Sequence, residues 1–223
     1  MGTSGKVSVF LADEQALFRQ GLARELSPYP DLDIMGEAAS VDEALADLQE
    51  LPPCVMLICS LSLAHFQDLV RTVRRYVPAD HILAVADARD PEAIFQAAIS
   101  GADALLPRTT GAGTWAQTVR EVHLGGHPID NDLAEHPRVA RRFLDKFQEF
   151  LANPGLSSLF TPLTPREAEV LRFLAEGTPL EEISLSLQAT PRDIIRHLTS
   201  IRRKLEANGF AQETAQALRA GRE

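Results

Sequence analysis

A chain of 223 residues, 45% hydrophobic and 24% charged, has the composition of a folded globular protein and enough length for two domains that each bury a core. No apolar run approaches the roughly 20 residues needed to cross a bilayer, and MGTSGKVSVFLADE lacks a cationic segment ahead of a long apolar stretch, so no membrane partner and a cytoplasmic setting are expected. A net charge of −9 excludes a surface coated for non-specific nucleic-acid binding, yet residues 161–223 balance nine Lys and Arg against nine Asp and Glu, so the acidic excess lies wholly in the first 160.

Short apolar runs alternate with amphipathic stretches through residue 125. The runs VSVFLA (7–12), LDIMGEA (32–38), CVMLIC (54–59), HILAVA (81–86) and ADALLP (102–107) predict strands, with helices between them at 14–27, 41–50, 66–76, 91–100 and 112–123. Buried strands alternating with helices predict a five-stranded parallel sheet, doubly wound in the flavodoxin-like manner. Ligands in such sheets bind at the carboxyl ends of the strands, which here carry Asp13, Glu14, Cys59, Ala86, Asp87 and Arg108. Cys54 and Cys59 share one strand and are too far apart along it to form a disulfide.

From residue 126 the pattern changes. An amphipathic stretch at 137–152 followed by NPGLSS (153–158) reads as a linker with a helix, spanning 126–160. Residues 161–223 predict four short helices. The first opens at Thr164-Pro165-Arg166-Glu167 as a capping box and stops at Gly177, the second covers 180–187, the third runs from Thr190-Pro191-Arg192-Asp193 to Leu205, and the fourth covers 210–220. Two short helices joined by a tight turn outline a helix-turn-helix. On the third helix, Ile194, Leu198, Ile201 and Leu205 superimpose as an apolar stripe, and Arg192, Arg196, Thr199 and Arg203 fall on the opposite face. Guanidiniums on an exposed helix face can enter a major groove, although a solvated surface helix has the same outline.

The phrases LTPREAEVLRFLAEG and EEISLSLQATPRDIIRHLTSIRRKL resemble the LuxR-type helix-turn-helix of the NarL/FixJ response regulators over about 60 residues. The resemblance implies an all-α domain that binds double-stranded DNA, with Arg192, Ile194, Ile195 and Arg196 at its contact positions. Ile195 departs from the lysine usual there, a loss that Arg202, Arg203 and Lys204 partly offset in charge. The resemblance also implies pairing through the last helix, and hence a homodimer.

Residues 1–125 resemble the receiver domain of the same family, through LADEQALFRQGL and AVADARDPEAIFQAAISGADALLPR. In that family two acidic residues hold Mg²⁺, an Asp accepts the phosphoryl group, and a hydroxyl and a Lys complete the site. The acidic pair matches Asp13 and Glu14, whereas the acceptor falls on Cys59, the hydroxyl on Ala86, the Lys on Arg108 and the switch aromatic on Leu105. Neither Cys59 nor Ala86 supplies what phosphorylation requires, so no metal or cofactor is expected. Arg108 can turn its fork toward Asp13, Glu14 and Asp87 or point into solvent. Cys59 is either an inert strand end or a redox-sensitive thiol. His123 and His127 have helical spacing, but Gly125 and Gly126 intervene, and no nucleophile-base set is present, so enzyme activity is not expected. The expectation is a phosphorylation-independent transcription regulator; the alternative is an interaction protein whose receiver-like domain docks on a kinase or other regulator.

Overall fold

The computed structural model describes residues 6–48, 54–59, 70, 72–73, 81–152 and 159–220. They form two compact units, Met1–Ile129 and Asp130–Glu223.

The first unit is a parallel sheet of five strands, β1 (Val7–Asp13), β2 (Leu32–Ala38), β3 (Val55–Cys59), β4 (His81–Ala86) and β5 (Ala104–Pro107), in the order β2-β1-β3-β4-β5. Helices α1 (Ala16–Leu26), α2 (Val41–Leu48), α3 (Pro91–Ile99) and α4 (Ala112–His123) alternate with the strands. Of the helix expected at 66–76, Val70, Thr72 and Val73 are helical and the rest lies outside the described residues. The central strands are apolar throughout because both faces of the sheet are covered: Val55, Met56, Leu57 and Ile58 are buried completely. One core cluster joins alternate residues of the strands to α1 and α4, through Leu22, Leu26, Trp115 and Val119. The Asp90 side chain caps α3 by accepting from the Ala93 N–H, with Pro91 in the first turn.

The parallel register sets the site. Asp13 pairs with Cys59, Cys59 with Val85, and Ala86 with Pro107, so the carboxyl ends of four strands lie side by side.

The expected linker at 126–160 carries two helices, α5 (Pro128–Glu135) and α6 (Pro137–Leu151). From Asp130 onward they belong to the second unit, with α7 (Pro165–Ala175), α8 (Leu180–Ser186) and α9 (Pro191–Ala220). Helix α6 buries Val139, Ala140, Phe143, Phe147 and Phe150 along one face, and the Phe150 ring packs on Phe160 at 4.8 Å. Thr164 and Glu167 form the expected capping box at the start of α7. Gly177, at φ +82°, ends that helix in the left-handed conformation, its neighbour Thr178 donating back to the Phe173 carbonyl.

One expectation is corrected here. The third and fourth helices expected within residues 161–223 are a single helix, α9, which runs on through Asn208-Gly209. Asn208 is buried and spends its amide sideways, accepting from Thr161 N–H at 2.7 Å and donating to Thr161 O at 3.0 Å, rather than capping a helix end.

Candidate functional site

At the carboxyl edge of the sheet, Asp13 is the last residue of β1 and its side chain is only 2% exposed. A carboxylate so buried needs partners. Its Oδ1 accepts the Gln15 N–H at 2.6 Å, and its Oδ2 accepts from Arg108 Nη1 at 3.0 Å. The Nε of Arg108 lies 3.3 Å from Asp87 Oδ1, and its guanidinium carbon sits 4.3 Å from the centre of the Phe18 ring. Two carboxylates and an aromatic face thus hold one planar cation, an arrangement suited to arginine and not to a point-charge lysine. Arg19 anchors the outside of the cluster, donating to the Asp13 carbonyl and to Glu37.

The remaining cleft residues fall around this pair. Glu14 is exposed, as is Asp87, whereas Ala86 is half-buried and offers only its backbone carbonyl, which accepts from the Arg108 N–H at 2.8 Å. Cys59 occupies the ladder position between Asp13 and Val85, and its thiol lies outside the described residues. Leu105 is buried within β5. Among the described residues no cluster of three or more His, Cys, Asp or Glu side chains is arranged to hold a metal ion.

At the opposite edge, sequence reasoning missed Asp103. Its buried carboxylate accepts from the Ile82 N–H at 3.0 Å and meets His127 Nδ1 at 2.7 Å, with His81 Nδ1 at 3.6 Å. His127, which the sequence set beside His123, is instead joined with His81 through one acid. The signal was the unexplained polar residue in ADALLP.

In the second unit α9 is seated as its apolar stripe requires, with Ile194, Leu198, Ile201 and Leu205 all buried. Its first turn is closed by a reciprocal pair: the Thr190 N–H donates to Asp193 Oδ2 and the Asp193 N–H to Thr190 Oγ1. These bonds, with Arg196 and His197 nearby, hold the Asp193 carboxyl below its ordinary range. Arg192, Arg196 and Arg203 are exposed, with Arg196 Nη1 3.1 Å from Asp193 Oδ1. A shallow groove of about 380 Å³ runs along this side, lined by Arg196, Thr199, Ser200, Arg203 and Lys204.

Two contact assignments and one charge assignment are corrected. Ile194 is completely buried and belongs to the stripe, so it cannot reach a ligand. Thr199 borders the arginine groove, but its hydroxyl is engaged within the unit, donating to Asp130 Oδ2 at 2.6 Å. Arg202 is 2% exposed and donates through Nε to Asp130 Oδ1 at 2.8 Å, so it adds no surface charge. Ile195 is half-buried, lining a cleft of about 430 Å³ with Pro137, Leu174 and Leu180.

Glu167 ties the other side of α9. Burial pushes its carboxyl up, but the Lys204 ammonium, the Thr164 N–H and the Ser200 hydroxyl outweigh that and hold it below its ordinary range.

Residues 161–216 match the family model described as bacterial regulatory proteins, luxR family. Over 208 residues, 92% of this chain and 93% of the relative, the sequence is 25% identical to the response regulator protein VraR of Staphylococcus aureus. The fold is similar to that of a LuxR-family two-component response regulator from Aurantimonas sp. SI85-9A1, with a TM-score of 0.51, 19% identity, and coverage of 55% of this chain and 89% of that one. It is also similar to RcsB in a structure of two RcsB dimers bound to two parallel DNAs, with a TM-score of 0.50, 18% identity, and coverage of 92% and 93%.

Proposed function

The chain belongs to the response regulators that carry a luxR-family DNA-binding domain, and from that premise we propose that it regulates transcription without a phosphorylation step. The observation that carries the proposal is the Arg108–Asp13 pair. In a phosphorylated site the first acidic residue is free to bind a divalent cation and the acceptor is a second carboxylate. Here Asp13 is committed to a guanidinium, and the ladder position beside it holds Cys59. The cleft is an internal ion pair rather than a vacant receptor for Mg²⁺ and phosphate.

DNA contact is assigned to Arg192, Arg196 and Arg203, the exposed guanidiniums of α9. RcsB engages DNA as dimers, and a homodimer is the corresponding proposal for this chain, since paired recognition helices read two half-sites. Cytoplasmic location follows from a DNA target. A docking role for the first unit is favoured by Leu17, 86% exposed on α1 beside an open cleft of about 1000 Å³ lined by Phe18, Leu22, Ala112 and Trp115.

The test is DNA binding by the full chain, with and without acetyl phosphate and Mg²⁺. The expected result is salt-dependent binding that is unchanged by the phosphodonor, with no phosphoryl adduct by intact mass. A phosphorylated species, or affinity that rises with the donor, overturns phosphorylation independence. Loss of binding confined to Leu17→Asp would instead point to the first unit as the pairing surface.

A further inference from the structure

Helix α9 is enclosed on three sides. At about 100° per residue, the buried stripe of Ile194, Leu198, Ile201 and Leu205 occupies one sector, and Ser200 and Lys204 lie on a flank bonded to Glu167 of α7. The other flank carries Arg202, Ile195 and Thr199, in that order away from the core. Asp130 of α5 takes both polar members of it: Oδ1 receives Arg202 Nε at 2.8 Å and Oδ2 receives Thr199 Oγ1 at 2.6 Å. Arg202 is 2% exposed and Asp130 is fully buried, so this is an interior bond and not a surface ion pair. What remains outward is a sector of roughly 40° holding Arg192, Arg203 and Arg196.

That sector differs from its neighbour in chemistry. Guanidiniums bond phosphates in any sequence and guanine edges bidentately, whereas a threonine hydroxyl and methyl next to them would add contacts to other bases. The Thr199 hydroxyl has one hydrogen; Asp130 Oδ2 at 2.6 Å is its nearer acceptor, with the Ile195 carbonyl second at 3.1 Å. Thr199 sits immediately beside the arginine sector, so it is the residue whose availability decides whether the helix reads bases there.

We propose that Asp130 is a specificity-determining residue for DNA recognition that never touches DNA: by holding Thr199 and Arg202 against α5, it confines contact to the Arg192–Arg196–Arg203 sector. The inference rests on the DNA-binding assignment made above. Asp130 is a positioning residue, and its removal changes which bases are preferred rather than how many phosphates are met.

The experiment uses the full chain and two probes: duplexes enriched from a random-sequence pool by the natural chain, and a shuffled duplex of the same composition. The readout is the ratio of the two affinities together with the slope of affinity against salt. Thr199→Ala alone leaves the ratio within about twofold, because its hydroxyl is already engaged. The double variant Asp130→Leu/Arg202→Met removes both buried charges at once and frees Thr199; it changes the ratio by about fivefold or more with the salt slope unchanged. Adding Thr199→Ala to the double variant returns the ratio toward the natural one. A ratio that collapses on Thr199→Ala alone overturns the proposal, as does an unchanged ratio in a double variant with natural helix content. If the double variant does not fold, Thr199→Ala decides the matter alone. Absence of any binding by the natural chain at low ionic strength is a separate outcome, and removes the DNA-binding assignment itself.

Discussion

Arg108 Nη1 donates to Asp13 Oδ2 across 3.0 Å, joining residues 95 positions apart in the chain. Asp13 is almost wholly buried and Arg108 nearly so, so the pair is shielded from the screening that weakens surface ion pairs. Arg108→Ala leaves the Asp13 carboxylate with the backbone N–H of Gln15 as its remaining partner among the bonds above, at an expected cost of about 3 kcal/mol. Thermal unfolding of the first unit checks this, and Arg108→Lys recovers part of the loss. Mg²⁺ added to the natural chain leaves the melting temperature unchanged.

The exposed arginines of α9 carry the second prediction. Arg192→Ala, Arg196→Ala and Arg203→Ala each weaken binding to all duplexes and each lower the salt slope by about one ion. Arg202→Ala leaves the salt slope unaltered and destabilises the second unit instead, since it strands the buried Asp130 carboxylate. Anisotropy titrations at several salt concentrations, set beside unfolding curves, separate the two behaviours.

The strands were legible because buried parallel strands read as unbroken apolar runs, as in VMLIC and HILAVA. The convergence of Asp13, Asp87 and Arg108 followed from one geometric fact, that parallel strands bring their carboxyl ends together. What sequence concealed was long-range pairing between polar residues. Arg202 borders the apolar stripe of α9 and looks like surface charge until Asp130, 72 positions earlier, is brought against it. The fourth helix expected at 210–220 is continuous with the third, and the Asn208 side chain is spent on Thr161 rather than on a helix end.

Acid titrates the second unit through Glu167. Its folded carboxyl is held low against an ordinary value of 4.5, so the stabilisation is complete above that value and is lost as pH falls below it through the folded value. Asp193 shifts in the same sense and adds to the loss. Circular dichroism during acidification should show the helical unit weakening below about pH 4.5, with a flatter profile in Glu167→Gln. That variant also loses about 1–2 kcal/mol at neutral pH, from weakened bonds to Lys204 and Ser200.

The chain has one tryptophan, and it lies in the first unit. Trp115 is buried on α4, and its indole N–H donates to the Thr110 carbonyl at 2.9 Å. Trp115→Phe forfeits that bond at about 1 kcal/mol, and Trp115→Ala costs about 3–5 kcal/mol through the cavity it leaves. In the natural protein, tryptophan emission reports the first unit alone.

Helix α9 runs for 30 residues, about 45 Å, with no joint between the segment that bears the arginines and the segment beyond Asn208. Such a rod transmits torque. One residue inserted after Gly209 would rotate everything downstream by about 100° and advance it by about 1.5 Å, as long as the helix stays intact. A partner bound at the far end would therefore set the angular phase of the arginine-bearing segment, which makes the length of this helix a geometric variable in its own right.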